Sequence, residues 1–292
     1  MELAVINILK IDSKKTRAFG WVQDSGNLDS LCDVVSIFDE TSTFHAKLKN
    51  EIIPDLVKVE NGKDEMISAL NTRPVSLSYK LLIGSHTKPR NLSPCDGIVQ
   101  AAVKGQKREY IGDWPADNFV RWAQCFGFIK YNYSTDDFSI TELGKKLVKA
   151  GNSSSERNEI LIQSALAYPP AYRILSLLKN PDTVLTKFEI GEKLGFTGED
   201  GFISYPVSSI VAALNNAESS EERNNIKSDW ESSSDKYART ICQWLIKLGL
   251  LENAEKEISV QYGNRFYSDT LGGYKITPNG ERVLRNAGGN SR

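Results

Sequence analysis

The sequence predicts a mainly α-helical chain with small β-hairpins (α+β), organised as two tandem copies of one module. Three observations carry that prediction. The same helix–hairpin–helix pattern occurs in both halves of the chain. A polar, Gly- and Ser-rich stretch from Lys149 to Asn158 (KAGNSSSERN) separates them as a linker or surface loop. And 292 residues with 40% apolar and 25% charged side chains suffice for two cores. The expected division is residues 1–152, an N-terminal arm plus a first subdomain, and residues 153–292, a second subdomain.

In the first half, Ser93 and Pro94 open a predicted helix over Cys95 to Val103. Phe119, Trp122, Phe126 and Ile129 then recur at helical spacing. Alternation at Ile129, Tyr131 and Tyr133, a turn at Ser134 to Asp137 and renewed alternation at Phe138 and Ile140 read as a hairpin. Another helix starts from Thr141. In the second half, Ala171 to Lys179 reads as a helix following Pro169 and Pro170. Thr186 and Glu189 have capping-box spacing, Leu185 and Ile190 hold the staple positions, and Gly195 stands where a glycine ends a helix. Tyr237, Ile241, Trp244, Leu245 and Leu248 form an apolar stripe on a helix that Ser234 is placed to cap. Strand-like residues run from Leu250 to Val260, and Tyr274 and Ile276 lead into Thr277. The halves match pair by pair: Trp122 with Trp244, Gly127 with Gly249, Ile140-Thr141 with Ile276-Thr277, and Gly144 with Gly280. Three short helices followed by a hairpin is the pattern of a winged helix-turn-helix, whose third helix enters the DNA major groove. The expected architecture is therefore two tandem elaborated winged helix-turn-helix subdomains.

Other features exclude whole classes of chemistry. Cys32, Cys95, Cys125 and Cys242 are far apart, so zinc fingers and ribbons are out and reduced thiols of a cytoplasmic protein are expected. His45 and His86 have no partner at metal or triad spacing and read as structural. No apolar run approaches the ~20 residues of a membrane span, and Met1 to Lys15 lacks a signal-peptide core. Gly-rich phosphate loops, Gly-x-Ser-x-Gly and His-Glu-x-x-His are absent, and no Asp/Glu-x-Lys triplet follows Pro181-Asp182. A catalytic site is not expected in this chain. The net charge of −1 speaks against a polyanionic partner. Phosphate contacts would have to come from local clusters such as Lys104, Lys107 and Arg108, or Lys145, Lys146 and Lys149, which read equally as solvated charges.

The candidate third helices carry two kinds of face. Lys236, Arg239, Gln243 and Lys247 share one side at steps of three, four and four, opposite the apolar stripe. Such a row fits either the solvated side of an amphipathic helix or donors aimed at guanine O6 and N7. Asn118, Arg121 and Gln124 lie similarly opposite Phe119, Trp122 and Phe126, and Trp122 and Trp244 read as core. Trp114 and Trp230 sit in polar segments just before the third helices, as staples or as rings set against a base; Glu231 is a first-turn charge or an acceptor for a cytosine amino group. Lys14, Lys15 and Arg17, followed by Trp21 and Gln23, form a basic arm or a surface strand.

At a larger scale, several motifs resemble the recognition region of type IIS restriction endonucleases of the FokI/StsI family. They are RAFGWVQ at Arg17 to Gln23, SPCD at Ser93 to Asp96, YPPA at Tyr168 to Ala171, LTKF at Leu185 to Phe188, LGFTGEDGF at Leu194 to Phe202 and WESSSDKYAR at Trp230 to Arg239. The resemblance runs collinearly from Thr16 to Arg285. It implies a pair of winged-helix subdomains that read an asymmetric five-base-pair site of GGATG type in double-stranded DNA. It also implies a third subdomain and a Mg²⁺-dependent nuclease domain beyond the point where this sequence stops, so that the chain is expected to bind without metal, as a monomeric fragment. The family's DNA contacts fall here on Gln23, Arg90, Trp114, Glu231, Lys236 and Arg239. Asp24 stands where the family has Asn, and an acceptor-only carboxylate cannot donate to adenine N7; Ser228 and Asp229 replace two further asparagines. The competing reading from another class is a stand-alone winged-helix transcriptional regulator, which predicts a symmetric dimer on a palindrome.

Overall fold

The computed structural model describes residues 6–7, 22, 27–56, 59, 62–72, 76–85, 94–106, 108–151, 154–194, 203–229 and 233–289. It forms two compact units, one over Arg17–Ser164 and one over Ala165–Arg292 together with the first sixteen residues, of which Ile6–Asn7 (β1) are described. Both units are mainly helical with small antiparallel sheets, a winged-helix-like α+β arrangement.

In the unit over Arg17–Ser164, Asn27 caps α1 (Leu28–Ser36), its Oδ1 accepting from Asp29 N at 3.0 Å. Ser42 caps α2 (Thr43–Lys47), and the chain continues through a π-helical turn, Leu48–Ile52, and Ile53–Asp55. Next come α3 (Lys63–Thr72), β2 (Leu77–Ser78), α4 (Tyr79–Ile83), α5 (Ile98–Ala102) and the long α6 (Asp113–Cys125). A hairpin, β3 (Ile129–Asn132) and β4 (Asp137–Ile140), leads to α7 (Glu142–Lys149). The sheet has the order β2-β4-β3. Trp122, Phe126, Phe128 and Phe138 are fully buried, with Trp122 and Phe126 meeting edge to face at 5.8 Å. His45 is structural, its Nδ1 lying 2.7 Å from the Ile37 carbonyl oxygen.

Two local expectations need correction here. The helix predicted over Cys95–Val103 is shorter: Cys95 forms a parallel bridge with Val59, and Gly97 is the cap of α5. Gly97 is required there because a Cβ would come within 2.6 Å of Gly84 N. The linker is also shorter than read, since Ser154 Oγ accepts from Arg157 N at 3.0 Å and α8 (Ser155–Ala167) starts inside it. Buried Arg157 then donates to Asp29 Oδ1 at 2.6 Å and to Cys32 Sγ at 3.2 Å, tying α8 to α1. In sequence, the two compact units meet inside α8, between Ser164 and Ala165.

In the other unit, α9 (Pro169–Leu177) accommodates both prolines in its first turn, where no N–H is needed. β5 (Leu185–Thr186) and α10 (Lys187–Leu194) follow. The capping box is formed: Thr186 N donates to Glu189 Oε2 at 2.9 Å and Glu189 N to Thr186 Oγ1 at 3.3 Å. Gly195 lies outside the described residues. β6 (Ile203–Ser204) pairs antiparallel with β1. α11 (Val207–Asn216), α12 (Ser220–Asp229) and the long α13 (Ser233–Lys247) precede a hairpin of β7 (Leu251–Tyr262) and β8 (Arg265–Ile276), and α14 (Pro278–Gly289) follows. This hairpin has 12-residue strands against 4 in the first unit. The added length is supported by Ile258 and Leu271, which pack with Ile210, Val211 and Leu214 of α11.

The two units share one plan down to single hydrogen bonds. The sheet order β5-β8-β7 repeats β2-β4-β3. Gly127 and Gly249 close the long helices at φ +74° and +71°, a conformation that costs other residues about 1–2 kcal/mol. Their carbonyls accept from Thr141 Oγ1 at 2.6 Å and Thr277 Oγ1 at 2.7 Å. The same hydroxyls cap the following helices by accepting from Gly144 N at 3.1 Å and Gly280 N at 3.0 Å. A Cβ on Gly144 would sit 2.3 Å from Phe128 O, and one on Gly280 would sit 2.2 Å from Leu250 O. The pairings read from sequence are therefore structural equivalences.

Candidate nucleic-acid interface

α13 is the best-defined candidate element. Its buried side is Tyr237, Ala238, Ile241, Cys242, Trp244 and Leu245, all fully buried. On its other side Lys236, Arg239 and Gln243 are half-buried and Lys247 is exposed. The polar row read from periodicity is thus the side of the helix left towards solvent. Half-burial is the usual state of long cationic side chains whose aliphatic stems pack while their charged ends reach the surface.

The N-terminal turn of α13 is held differently from the expectation. Ser234 is not the cap; the helix begins at Ser233. Ser234 is fully buried and its hydroxyl donates to the Gly191 carbonyl oxygen of α10 at 2.7 Å. Asp235 is also fully buried, and its Oδ1 accepts from Ser204 Oγ of β6 at 3.2 Å. α10 passes so close that a Cβ on Gly191 would come within 2.5 Å of that carboxylate oxygen. α10 and α13 pack against one another, with β6, α11 and α12 between them in the chain. Beneath it, the hydroxyls of Tyr168 and Tyr237 hydrogen-bond to one another within the core.

In the other unit, α6 holds the equivalent position. Trp114 lies inside its first turn rather than before it, and it is exposed, with 38% of its surface accessible. Asn118 is not on a solvent side: it is buried and its Nδ2 donates to the Trp114 carbonyl oxygen at 3.0 Å. Arg121 is half-buried and donates to Asp117 Oδ2 at 2.8 Å, while Tyr79 OH donates to Asp117 Oδ1 at 2.5 Å. Asp117 therefore ties α4 to α6. Gln124 is half-buried.

Of the remaining expected contacts, Gln23, Asp24, Arg90, Trp230 and Glu231 lie outside the described residues, as do His86 and Lys107. The described residues on either side of positions 86–93, Ile83 and Ser85 before and Asp96 and Gln100 after, are hydrogen-bonded to one another. Asp96 Oδ1 accepts from Ser85 N at 2.9 Å, Gln100 Oε1 accepts from Asp96 N at 3.0 Å, and Gln100 Nε2 donates to Ile83 O at 2.9 Å. Gly84, at φ +75°, allows this crossing because a Cβ would overlap Asp96 Oδ1. Sequence reasoning missed this Asp96 and Gln100 network; the one signal was Asp96 inside the SPCD motif. Ser204, Gly191 and Asp117 gave no signal.

No group of three or more His, Cys, Asp or Glu is placed to hold a metal ion among the described residues, and no helix among them is long and apolar enough to cross a membrane. Lys145, one of the basic-cluster residues, is paired with Glu142 at 2.7 Å.

Comparison with known proteins agrees with this arrangement. The family described as FokI, recognition domain, matches twice, subdomain 1 over residues 17–150 and subdomain 2 over residues 157–292. The type II restriction enzyme FokI of Planomicrobium okeanokoites is 41% identical over 285 residues, covering 95% of this chain and 48% of that enzyme. The type II restriction enzyme StsI of Streptococcus sanguinis is 34% identical over 296 residues, covering 98% of this chain and 48% of that enzyme. Among solved structures, restriction endonuclease FokI bound to DNA superposes with a TM-score of 0.86 at 41% identity, over 94% of this chain and 48% of that one. A second structure of FokI gives a TM-score of 0.83 at 39% identity, over 98% and 49% of the two chains. This chain spans about half the length of the curated relatives it matches. The chain belongs to the family of FokI recognition domains and carries both subdomain 1 and subdomain 2.

Proposed function

We propose that the chain is the sequence-reading part of a type IIS restriction endonuclease and that it recognises an asymmetric, GGATG-like site in double-stranded DNA. The observation that carries this reading is α13, whose apolar side is fully buried while Lys236, Arg239, Gln243 and Lys247 line the other. Its close relatives supply the polymer: one is a restriction endonuclease whose solved structure is bound to DNA. In this reading α13 and α6 each enter the major groove, the family contacts at Gln23, Arg90, Trp114 and Glu231 add to them together with Asp24 in the place of the family's Asn, and surface Lys and Arg fix the register on phosphates. Binding needs no divalent metal and is made by a monomer, because two unequal subdomains already read an asymmetric site. Cleavage, with Mg²⁺, belongs to a nuclease domain outside this chain.

Direct readout separates two quantities, discrimination and total affinity. Lys236→Ala and Arg239→Ala are each expected to lose about 1–3 kcal/mol of discrimination between the preferred duplex and a scrambled one. Binding to the scrambled duplex should change much less. Equal losses on both duplexes would mean that these side chains touch only phosphate.

A further inference from the structure

We infer that Asp235 is a positioning residue for sequence readout, acting through the buried contacts of the first turn of α13 and not by touching DNA itself. This rests on the DNA-reading function proposed above. Asp235 directly precedes Lys236, yet no part of its side chain reaches solvent. Its Oδ1 accepts from Ser204 Oγ at 3.2 Å, and Ser204 is itself fully buried on β6. The neighbouring Ser234 donates to Gly191 O of α10 at 2.7 Å. Consecutive residues on an α-helix point about 100° apart. These two hydrogen bonds therefore grip one turn of α13 from two directions, on two different elements, and fix both its rotation about its axis and its slide along α10.

Three features argue that this grip serves readout and not bulk stability. A buried carboxylate costs several kcal/mol in desolvation, and an apolar side chain would fill the same space without it. What an apolar residue cannot supply is a directional bond that selects one rotation of the helix. Gly191 leaves no slack, because a Cβ there would lie 2.5 Å from the carboxylate oxygen and 3.0 Å from Ser234 Oγ. And β6 does not stand alone: it pairs with β1, Ile6 opposite Ser204 and Asn7 opposite Ile203. The N-terminal segment of the chain thereby supports the strand that holds the helix turn next to Lys236. A binding constellation has to be held within about 0.5 Å of its productive geometry, and it is the base contacts, not those to phosphate, that carry sequence information.

The test uses the full chain and two duplexes without divalent metal, one carrying GGATG and one scrambled, with thermal unfolding followed in parallel. Ser204→Ala is expected to lower the affinity ratio between the duplexes about tenfold, with the scrambled-duplex affinity and its salt dependence unchanged. Asp235→Asn, which keeps an acceptor for Ser204, is expected to retain most of the ratio, and Asp235→Ala to lose it. Hydrogen exchange of the free protein should show faster exchange confined to the first turn of α13 in Ser204→Ala. If Ser204→Ala and Asp235→Ala fold and leave the ratio intact, or weaken both duplexes equally, the inference is overturned. A wild-type chain without preference overturns the inference together with the function beneath it, and is recognisable before any substitution is made.

Discussion

Single residues in this chain have roles that are set by very short distances. Gly144 and Gly280 each lie against a backbone carbonyl oxygen, which a Cβ would approach to 2.3 and 2.2 Å. Gly144→Ala and Gly280→Ala are therefore expected to destabilise the protein by about 1–3 kcal/mol each, measured by urea unfolding, through overpacking. A cost near zero for either would mean the helix after the hairpin can slide away. Burial acts on Cys95 as well, pushing its thiol from an ordinary 9.0 up to about 12. The native state holds this proton where the unfolded chain has released it. Its contribution is thus complete below pH 9.0 and falls away as pH rises toward about 12. Cys95→Ala should flatten that alkaline loss in a series of unfolding midpoints; an unchanged slope would assign the loss to other groups. Residues are legible in the sequence wherever the cause is local. Gly127 and Gly249 stand five positions after a tryptophan because the helix must end in a left-handed residue there. Asn118 escapes a reading by periodicity because its amide turns back to the Trp114 carbonyl, which helical spacing does not register.

Elements follow the same division between local and distant causes. The capping box at Thr186 and Glu189 is readable because both partners lie within four residues, and it forms as expected. Glu189 is further engaged by Lys256 at 2.5 Å, so the box also anchors the hairpin. Thr186→Ala should cost about 1 kcal/mol by the loss of the cap; no shift in the melting temperature would show that the Lys256 pair alone holds the turn. The start of α13 is not readable in this way. A run of three serines offers several caps, and the partner that places Ser234 inside the helix is Gly191, 43 residues away. The helix predicted from Cys95 is likewise cut short by a tertiary event, the passage of Gly84 against Gly97. Amphipathic helices, hairpins and their matching glycines are visible in the sequence; the supports that aim them are not.

For the molecule as a whole, duplication without symmetry is the organising fact. Two units share sheet order, helix-closing glycines and capping threonines, yet their hairpins differ threefold in length and their long helices present different side chains. Under the function proposed above, a repeated fold with unequal polar faces suits an asymmetric site within one chain, where a symmetric dimer would call for a palindrome. The near-zero net charge of −1 then places the burden of binding on local contacts and not on a general field. The most direct test of sequence reading is a metal-free binding titration of the chain with a GGATG duplex and a scrambled one at several salt concentrations. Direct readout predicts a preference of roughly 10³-fold or more that persists as salt weakens both affinities. Equal affinities for the two duplexes would contradict it.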